Sequence, residues 1–377
     1  MRIGILTLPL HMNYGGILQA YALQTTLEKM GHQVVVFDRP ISKRHLPLWK
    51  KPCSYAKRFI KKYLLGKNDV HVFQEAYEFN LDKIRRQYTQ QFIDKRIHRY
   101  EINSPLDIKE DDFDGMVVGS DQIWRMMYFR PFWYDRNGAD AFLAFTKNWN
   151  IKRVSYAASF GKDSAELNAL EIKEAKDIVS RFDGVSVREQ SGIDICKSLF
   201  GVDAKLVLDP TLLLKREDYL KLIDTNKKEK GILLKYILDE NSVETKLVNK
   251  IAADKNLHIV DTNVAGDMTL RVEKRIQAPV EDWLNTFENA DYVVTDSFHA
   301  CVFSLLFHKP FTVIGNRTRG TARIDSLLNL TGLQDRLILS VDEYKEPGSI
   351  DFDRVDLQLE GKRKDSIRFL MDSLGYN

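Results

Sequence analysis

The stretch Asp291–Arg323 reads D-Y-V-V-T-D-S-F-H-A-C-V-F-S-L-L-F-H-K-P-F-T-V-I-G-N-R-T-R-G-T-A-R, and it decides the fold. Tyr292 to Thr295 is a short β-rich run fit for a buried parallel strand. Asp296 and Ser297 are helix-start residues, and the spacing predicts an apolar helix from there to about His308. Lys309-Pro310 stops that helix, and Phe311 to Ile314 reads as the next strand. His299 then falls in a first helical turn just beyond the carboxyl end of a strand, where open α/β sheets bind ligands. Backbone N–H groups at a helix start favour an anion. Arg317, Arg319 and Arg323 follow the next strand, around Gly315 and Gly320, and guanidinium forks suit phosphate and carboxylate alike. The plainer alternative is a structural histidine followed by a solvated arginine loop.

The rest of the chain repeats the pattern. Arg2 to Leu8 reads as a strand, His11 to Gly16 as a polar turn, Ile17 to Met30 as a helix ended by Gly31, and His32 to Phe37 as a second strand. This βαβ opening predicts a Rossmann-like half. Its turn, N-Y-G-G, is not the dinucleotide fingerprint. Gly15 and Gly16 permit close backbone approach to a ligand that Asn13 and Tyr14 could hydrogen-bond, unless they only make the turn. Gly115 to Val118 is a strand running into G-S-D-Q-I-W, which offers Asp121 as an acid–base candidate and Gln122 beside it, or simply a capped turn. Arg153 to Ala157 and Gly184 to Val187 are further strands, so Arg188 also stands at a strand's carboxyl end. Asp209-Pro210 looks like the exit from a first domain. Gly231 to Ile237 opens a second α/β domain, and Val355 to Leu374 reads as a closing amphipathic helix. The expected division is 1–210, 211–350 and 351–377.

At 377 residues, 44% hydrophobic and 29% charged, the chain has the composition of a soluble protein large enough for two cores. Cys53, Cys196 and Cys301 lack metal spacing and read as reduced cytosolic thiols, and no metal site is expected. The opening runs straight into a strand, so no secretory leader is expected, and no apolar run approaches a bilayer span. Residues 42–67 stand apart: nine Lys/Arg, no acid, and Trp49, Tyr55, Phe59, Ile60, Tyr63, Leu64 and Leu65 interleaved. That pattern suits contact with an anionic membrane surface, a polyanion, or a solvated helical insertion. Nucleic acid is the least favoured partner.

Six motifs in chain order are N-Y-G-G-I-L-Q-A-Y-A-L-Q, V-V-G-S-D-Q-I-W, S-Y-A-A-S-F-G, S-V-R-E-Q-S-G, L-D-P-T-L-L and V-V-T-D-S-F-H-A. Together they resemble the polysaccharide pyruvyl transferase family. The resemblance implies an α/β architecture of two Rossmann-like domains facing a cleft (GT-B-like), with the C-terminal helix returning to the first domain. It implies transfer of pyruvate from phosphoenolpyruvate, as co-substrate, to a sugar of a bacterial surface glycan as a ketal, with no cofactor. The acceptor expected is a galactose- or other hexose-type residue of a lipid-linked precursor, handled at the inner face of the cytoplasmic membrane by a cytoplasmic, peripheral enzyme. The family's donor-site arginine corresponds to Arg188 and its histidine to His299, with Phe298 beside it. The family's R-L-H motif reads Ser297-Phe298-His299 here, so Arg319 or Arg323 is expected to supply the missing charge. Asp121 is the expected base, and Asn13, Tyr14, Gly15 and Gln122 the expected acceptor side. Two other readings stay open: a GT-B glycosyltransferase using a nucleotide sugar, and a non-catalytic glycan- or anion-binding protein of capsule assembly.

Overall fold

The computed structural model describes residues 1–40, 48–67, 70–133, 137–226, 228–239, 242–264, 270–315, 320–340, 342 and 344–375. The first half runs β1 (Arg2–Leu6), α1 (Tyr14–Lys29), β2 (Gln33–Asp38), α2 (Lys51–Phe59), α3 (Gln74–Arg85), α4 (Gln87–Arg96), β3 (Arg99–Glu101), β4 (Gly115–Val118), α5 (Met126–Trp133), β5 (Lys152–Ala158), α6 (Ala169–Val179), β6 (Gly184–Val187), α7 (Gln190–Ile195) and β7 (Lys205–Leu206). The second runs α8 (Arg216–Leu220), β8 (Ile232–Tyr236), α9 (Ser242–Asp254), β9 (His258–Asp261), α10 (Val280–Asn289), β10 (Tyr292–Thr295), α11 (Phe298–Leu306), β11 (Phe311–Ile314), α12 (Ala322–Thr331), β12 (Leu337–Ile338) and α13 (Phe352–Leu374).

Two parallel sheets result, as the alternating pattern requires. One has the order β3-β2-β1-β4-β5-β6-β7, the other β12-β11-β10-β8-β9. The first sheet's strand order reverses between β1 and β4, the second's between β8 and β10. These are the switch points at which crevices open beyond the strand ends. β1, β4 and β10 are buried along nearly their whole length, which is why they read as continuous apolar runs rather than alternating ones. The architecture is therefore the α/β, two-sheet, Rossmann-like one, and α13 packs back on β5 and β6 of the first sheet.

One continuous core binds the halves. Ile17, Leu18 and Leu23 of α1 share it with Trp283 of α10, Phe303 of α11 and Leu370 of α13. Separate clusters fill the outer face of each sheet, around Trp124 and Phe142 in the first and around Leu247 and Ile251 in the second. Both sheets are thus covered on both faces.

One local expectation changes. The helix expected from Ile17 begins at Tyr14, so Gly15 and Gly16 lie in its first turn rather than in a loop. The cause is Asn13, whose side-chain oxygen accepts from the Gly15 and Gly16 N–H groups and caps the helix earlier than the apolar run indicates. The segment between β5 and β6 becomes helical only at Ala169–Val179, where Asn168 and Glu171 form a capping box that fixes the start.

Candidate active site

Four chain segments meet where the carboxyl edges of the two sheets face each other. The α1 amino end follows β1, the Gly119–Gln122 turn follows β4, Arg188 follows β6, and α11 follows β10. The closest approach is between Gly15 and His299: a methyl group at Gly15 would stand 2.0 Å from His299 Nδ1 and 2.3 Å from Cγ. Only a residue without a side chain lets α1 and α11 come this near. Gly119 is held at φ +126, and a methyl group there would lie 2.1 Å from the Tyr156 carbonyl oxygen, so the β4 turn also needs its glycine.

A buried carboxylate organises the cationic groups. Arg188 donates to Asp209 at 2.7 Å and to Asp121 at 3.4 Å. The Ser120 hydroxyl donates to the same Asp209 oxygen at 3.3 Å. His299 Nε2 stands 3.6 Å from that oxygen, close enough for charge attraction but long for a hydrogen bond. The other Asp209 oxygen accepts from the Thr211 N–H at 3.0 Å and from its hydroxyl at 2.6 Å. Burial pushes the Asp209 carboxyl up, but His299, the Arg188 guanidinium and the Thr211 hydroxyl outweigh it and hold it well below the usual range. Burial likewise pushes Arg188 down, and Asp209, Asp121 and Glu189 together hold it above its ordinary value. The Arg188 guanidinium also lies over the Phe298 ring, 4.9 Å from its centroid.

Arg323 is different. It is buried in the first turn of α12, and burial together with the charge of Arg188 pulls it down to about 10. Buried cations held beside another cation are costly unless an anion joins them. Arg188 Nε, Arg323 Nε and His299 Nε2 are buried without a hydrogen-bond partner among the described residues. This is a buried ion cluster in which two guanidinium groups are balanced by carboxylates yet keep unpaired nitrogens, and such nitrogens suit the oxygens of an anionic group.

The expected residues divide clearly. Arg188, Phe298, His299, Asp121 and Gly15 come together, and Arg323 joins them. Arg317 and Arg319 lie outside the described residues. Asp121, expected on the acceptor side, packs against Arg188, with its other oxygen 3.5 Å from where a Gly16 methyl group would stand. Tyr14 does not line the crevice. It is fully buried, donates to the Ala278 carbonyl at 2.9 Å and stacks on Trp283, fastening α1 to the second half. Asn13 is exposed and caps α1. The Gln122 carbonyl oxygen accepts from Arg125 at 2.8 Å, so this side chain is already engaged.

Sequence reasoning missed Asp209, which reads as a domain exit yet is the buried hub of the centre. Its signal was an acid three residues beyond β7, inside the L-D-P-T-L-L motif. It also missed Glu189, fully buried, one oxygen of which accepts from the Ser159 hydroxyl and the Phe160 and Gly161 N–H groups. Glu189 fixes the turn after β5. The α12 start closes over that turn, since a methyl group at Gly320 would lie 2.7 Å from the Gly161 carbonyl oxygen. Ser326 also accepts from the Gln190 N–H.

A sequence model of the polysaccharide pyruvyl transferase family matches residues 13–318. No curated protein sequence matches the chain. Among solved structures it is similar to S. aureus MnaA crystallised with UDP, at 13% identity over 100% of this chain and 90% of that one, TM-score 0.46. A kitacinnamycin glycotransferase gives 14% identity over 100% and 96%, TM-score 0.43. E. coli heptosyltransferase WaaC with ADP gives 10% over 96% and 100%, TM-score 0.40.

Proposed function

We propose, for a chain that belongs to the polysaccharide pyruvyl transferase family, that its buried ion cluster binds phosphoenolpyruvate and transfers the pyruvyl group to a sugar of a bacterial surface glycan as a ketal. The observation that carries this reading is the set of Arg188, Arg323 and His299, each buried with an unpartnered side-chain nitrogen, beyond the carboxyl ends of strands β6, β11 and β10. A small molecule with one carboxylate and one phosphate offers acceptor oxygens to the unpaired nitrogens of both arginines.

The chemistry follows from the residues. His299 gives a proton to the methylene carbon, and C2 becomes electron-poor. A sugar hydroxyl adds to C2, and a second hydroxyl of the same sugar displaces phosphate. One diol and one phosphoenolpyruvate become one ketal and one inorganic phosphate, and the two hydroxyl protons balance the methyl group and the phosphate. Arg188 and Arg323 stabilise the charge that collects on the leaving phosphate. Asp121, at the edge of the centre, is the candidate base for the hydroxyls. The acceptor is a hexose-type residue of a lipid-linked precursor, and the reaction then runs at the inner face of the cytoplasmic membrane.

Thermal-shift titration tests the donor. A ligand that binds only the folded state at a hundred times its Kd stabilises by about 2.7 kcal/mol. Phosphoenolpyruvate should raise the melting temperature more than inorganic phosphate does, and His299→Ala should abolish the difference. Stabilisation by a UDP-sugar alone would replace the reading with glycosyl transfer.

A further inference from the structure

The segment 48–67 makes no contribution to the centre, yet it is built in a specific way. Among its residues Lys50, Lys51, Lys57, Arg58, Lys61, Lys62 and Lys67 are cations, and there is no acid. One side of it is tethered. Arg58 holds the Glu75 carboxylate with bonds of 2.8 and 3.0 Å, and the Tyr55 ring packs edge-on against Phe73. The opposite side is uncovered. The Phe59 and Tyr63 rings meet tilted at 4.7 Å one turn apart, and Ile60 and Leu64 follow each of them by one residue. Trp49 and Leu64 are 75% and 73% exposed, and no residue of α2 or of the turn Ile60–Leu64 is buried. Six large apolar side chains here, with Leu65 the sixth, face solvent together. Such patches mark interaction sites.

We infer that this uncovered face docks the protein on an anionic lipid surface. Charge selects the partner: the six lysines of the segment, without one acid in it, repel a basic protein and attract an anionic headgroup layer. Shape and polarity narrow it further. Ile60, Leu64 and Leu65 give a nucleic acid nothing to bury them in, whereas an acyl boundary takes aliphatic and aromatic side chains while Lys57, Lys61 and Lys62 stay among the headgroups. The segment follows β2 in the chain, and the carboxyl end of that strand belongs to the sheet edge that carries the candidate site. α3, which anchors it, reaches the second half through the Tyr77 hydroxyl donating to Glu273 at 2.8 Å. Docking would therefore present the crevice to the membrane. This inference rests on the proposed function only for what the membrane brings, a lipid-linked sugar; the docking face stands on its own residues.

The experiment is vesicle co-sedimentation of the full chain without phosphoenolpyruvate or acceptor, so that failure of the donor reading leaves it intact. The probes are phosphatidylcholine vesicles with and without phosphatidylglycerol. Each cation near an anionic surface is worth roughly a fivefold factor, so Lys61→Gln/Lys62→Gln should lower partitioning roughly 30-fold. Leu64→Ser should lower it too, and salt should weaken the wild type. Neither variant touches the core, so unchanged melting temperatures confirm that folding is intact. Wild-type protein left in the supernatant with phosphatidylglycerol present overturns the inference. So does equal partitioning of the wild type and the charge variant, which would point instead to a protein partner for the apolar face.

Discussion

Gly15→Ala is the sharpest test of the centre, because helix chemistry and site geometry push in opposite directions. Gly15 lies in the first turn of α1, with no positive φ to protect. In an open helix the change would stabilise by about 0.5–1 kcal/mol. Here the new methyl group would stand 2.0, 2.3 and 2.8 Å from His299 Nδ1, Cγ and Cε1. Ordinary contact begins near 3.4 Å, so the imidazole has to retreat by roughly an ångström, and Cγ lies too close to its own backbone for side-chain rotation alone to achieve that. Overpacking of this kind costs about 1–3 kcal/mol, leaving a net loss of about 0–2.5 kcal/mol after the helix gain. A misplacement of about 1 Å at a reacting group costs on the order of 100-fold in rate. Gly15→Ala should therefore remain folded, lose at most about 2.5 kcal/mol in urea titration, and lose on the order of 100-fold in phosphoenolpyruvate-dependent phosphate release with an acceptor. In the His299→Ala background the same substitution should be neutral or stabilising, because the ring it strikes is gone. Turnover of Gly15→Ala above half the wild-type rate would refute the reasoning, and so would an equal stability cost in both backgrounds.

Asp209→Asn removes the shared anion from between Arg188 and His299 and should cost about 3–5 kcal/mol, read as a fall in the urea midpoint. Because the folded-state carboxyl is depressed, its stabilisation is present above the unfolded value near 4 and fades as the pH falls below it. The variant should accordingly show a shallower acid loss of stability than the wild type. Arg188→Lys keeps the charge but cannot reach Asp209 and Asp121 together; donor affinity by calorimetry should fall about 10- to 100-fold, one charge-assisted hydrogen bond's worth. Arg323→Leu should be neutral or stabilising without ligand, since it removes a buried cation repelled by Arg188, yet it should lose the thermal shift given by phosphoenolpyruvate.

The sequence by itself determined the frame. Continuous apolar runs such as Tyr292–Thr295 and Gly115–Val118 can only be strands buried on both faces, and the helices between them force parallel crossovers. With that, every residue directly after a strand is placed at one edge, which is how His299, Arg188 and Asp121 were legible as neighbours. Six short motifs gave the family, and the match over residues 13–318 bears that out. Tyr14 was misplaced because a polar hydroxyl after a loop reads as a ligand contact, whereas its partner, the Ala278 carbonyl, lies 264 residues away. Which strand-end residues touch depends on strand order and on how two sheets abut, and neither leaves a local signature. Only the tertiary structure could show that Gly15 is a glycine on account of His299, and that Asp209 turns inward to Arg188 and His299 rather than outward as a linker. Both are decided by distances between segments far apart in the chain, to which propensity and periodicity are blind.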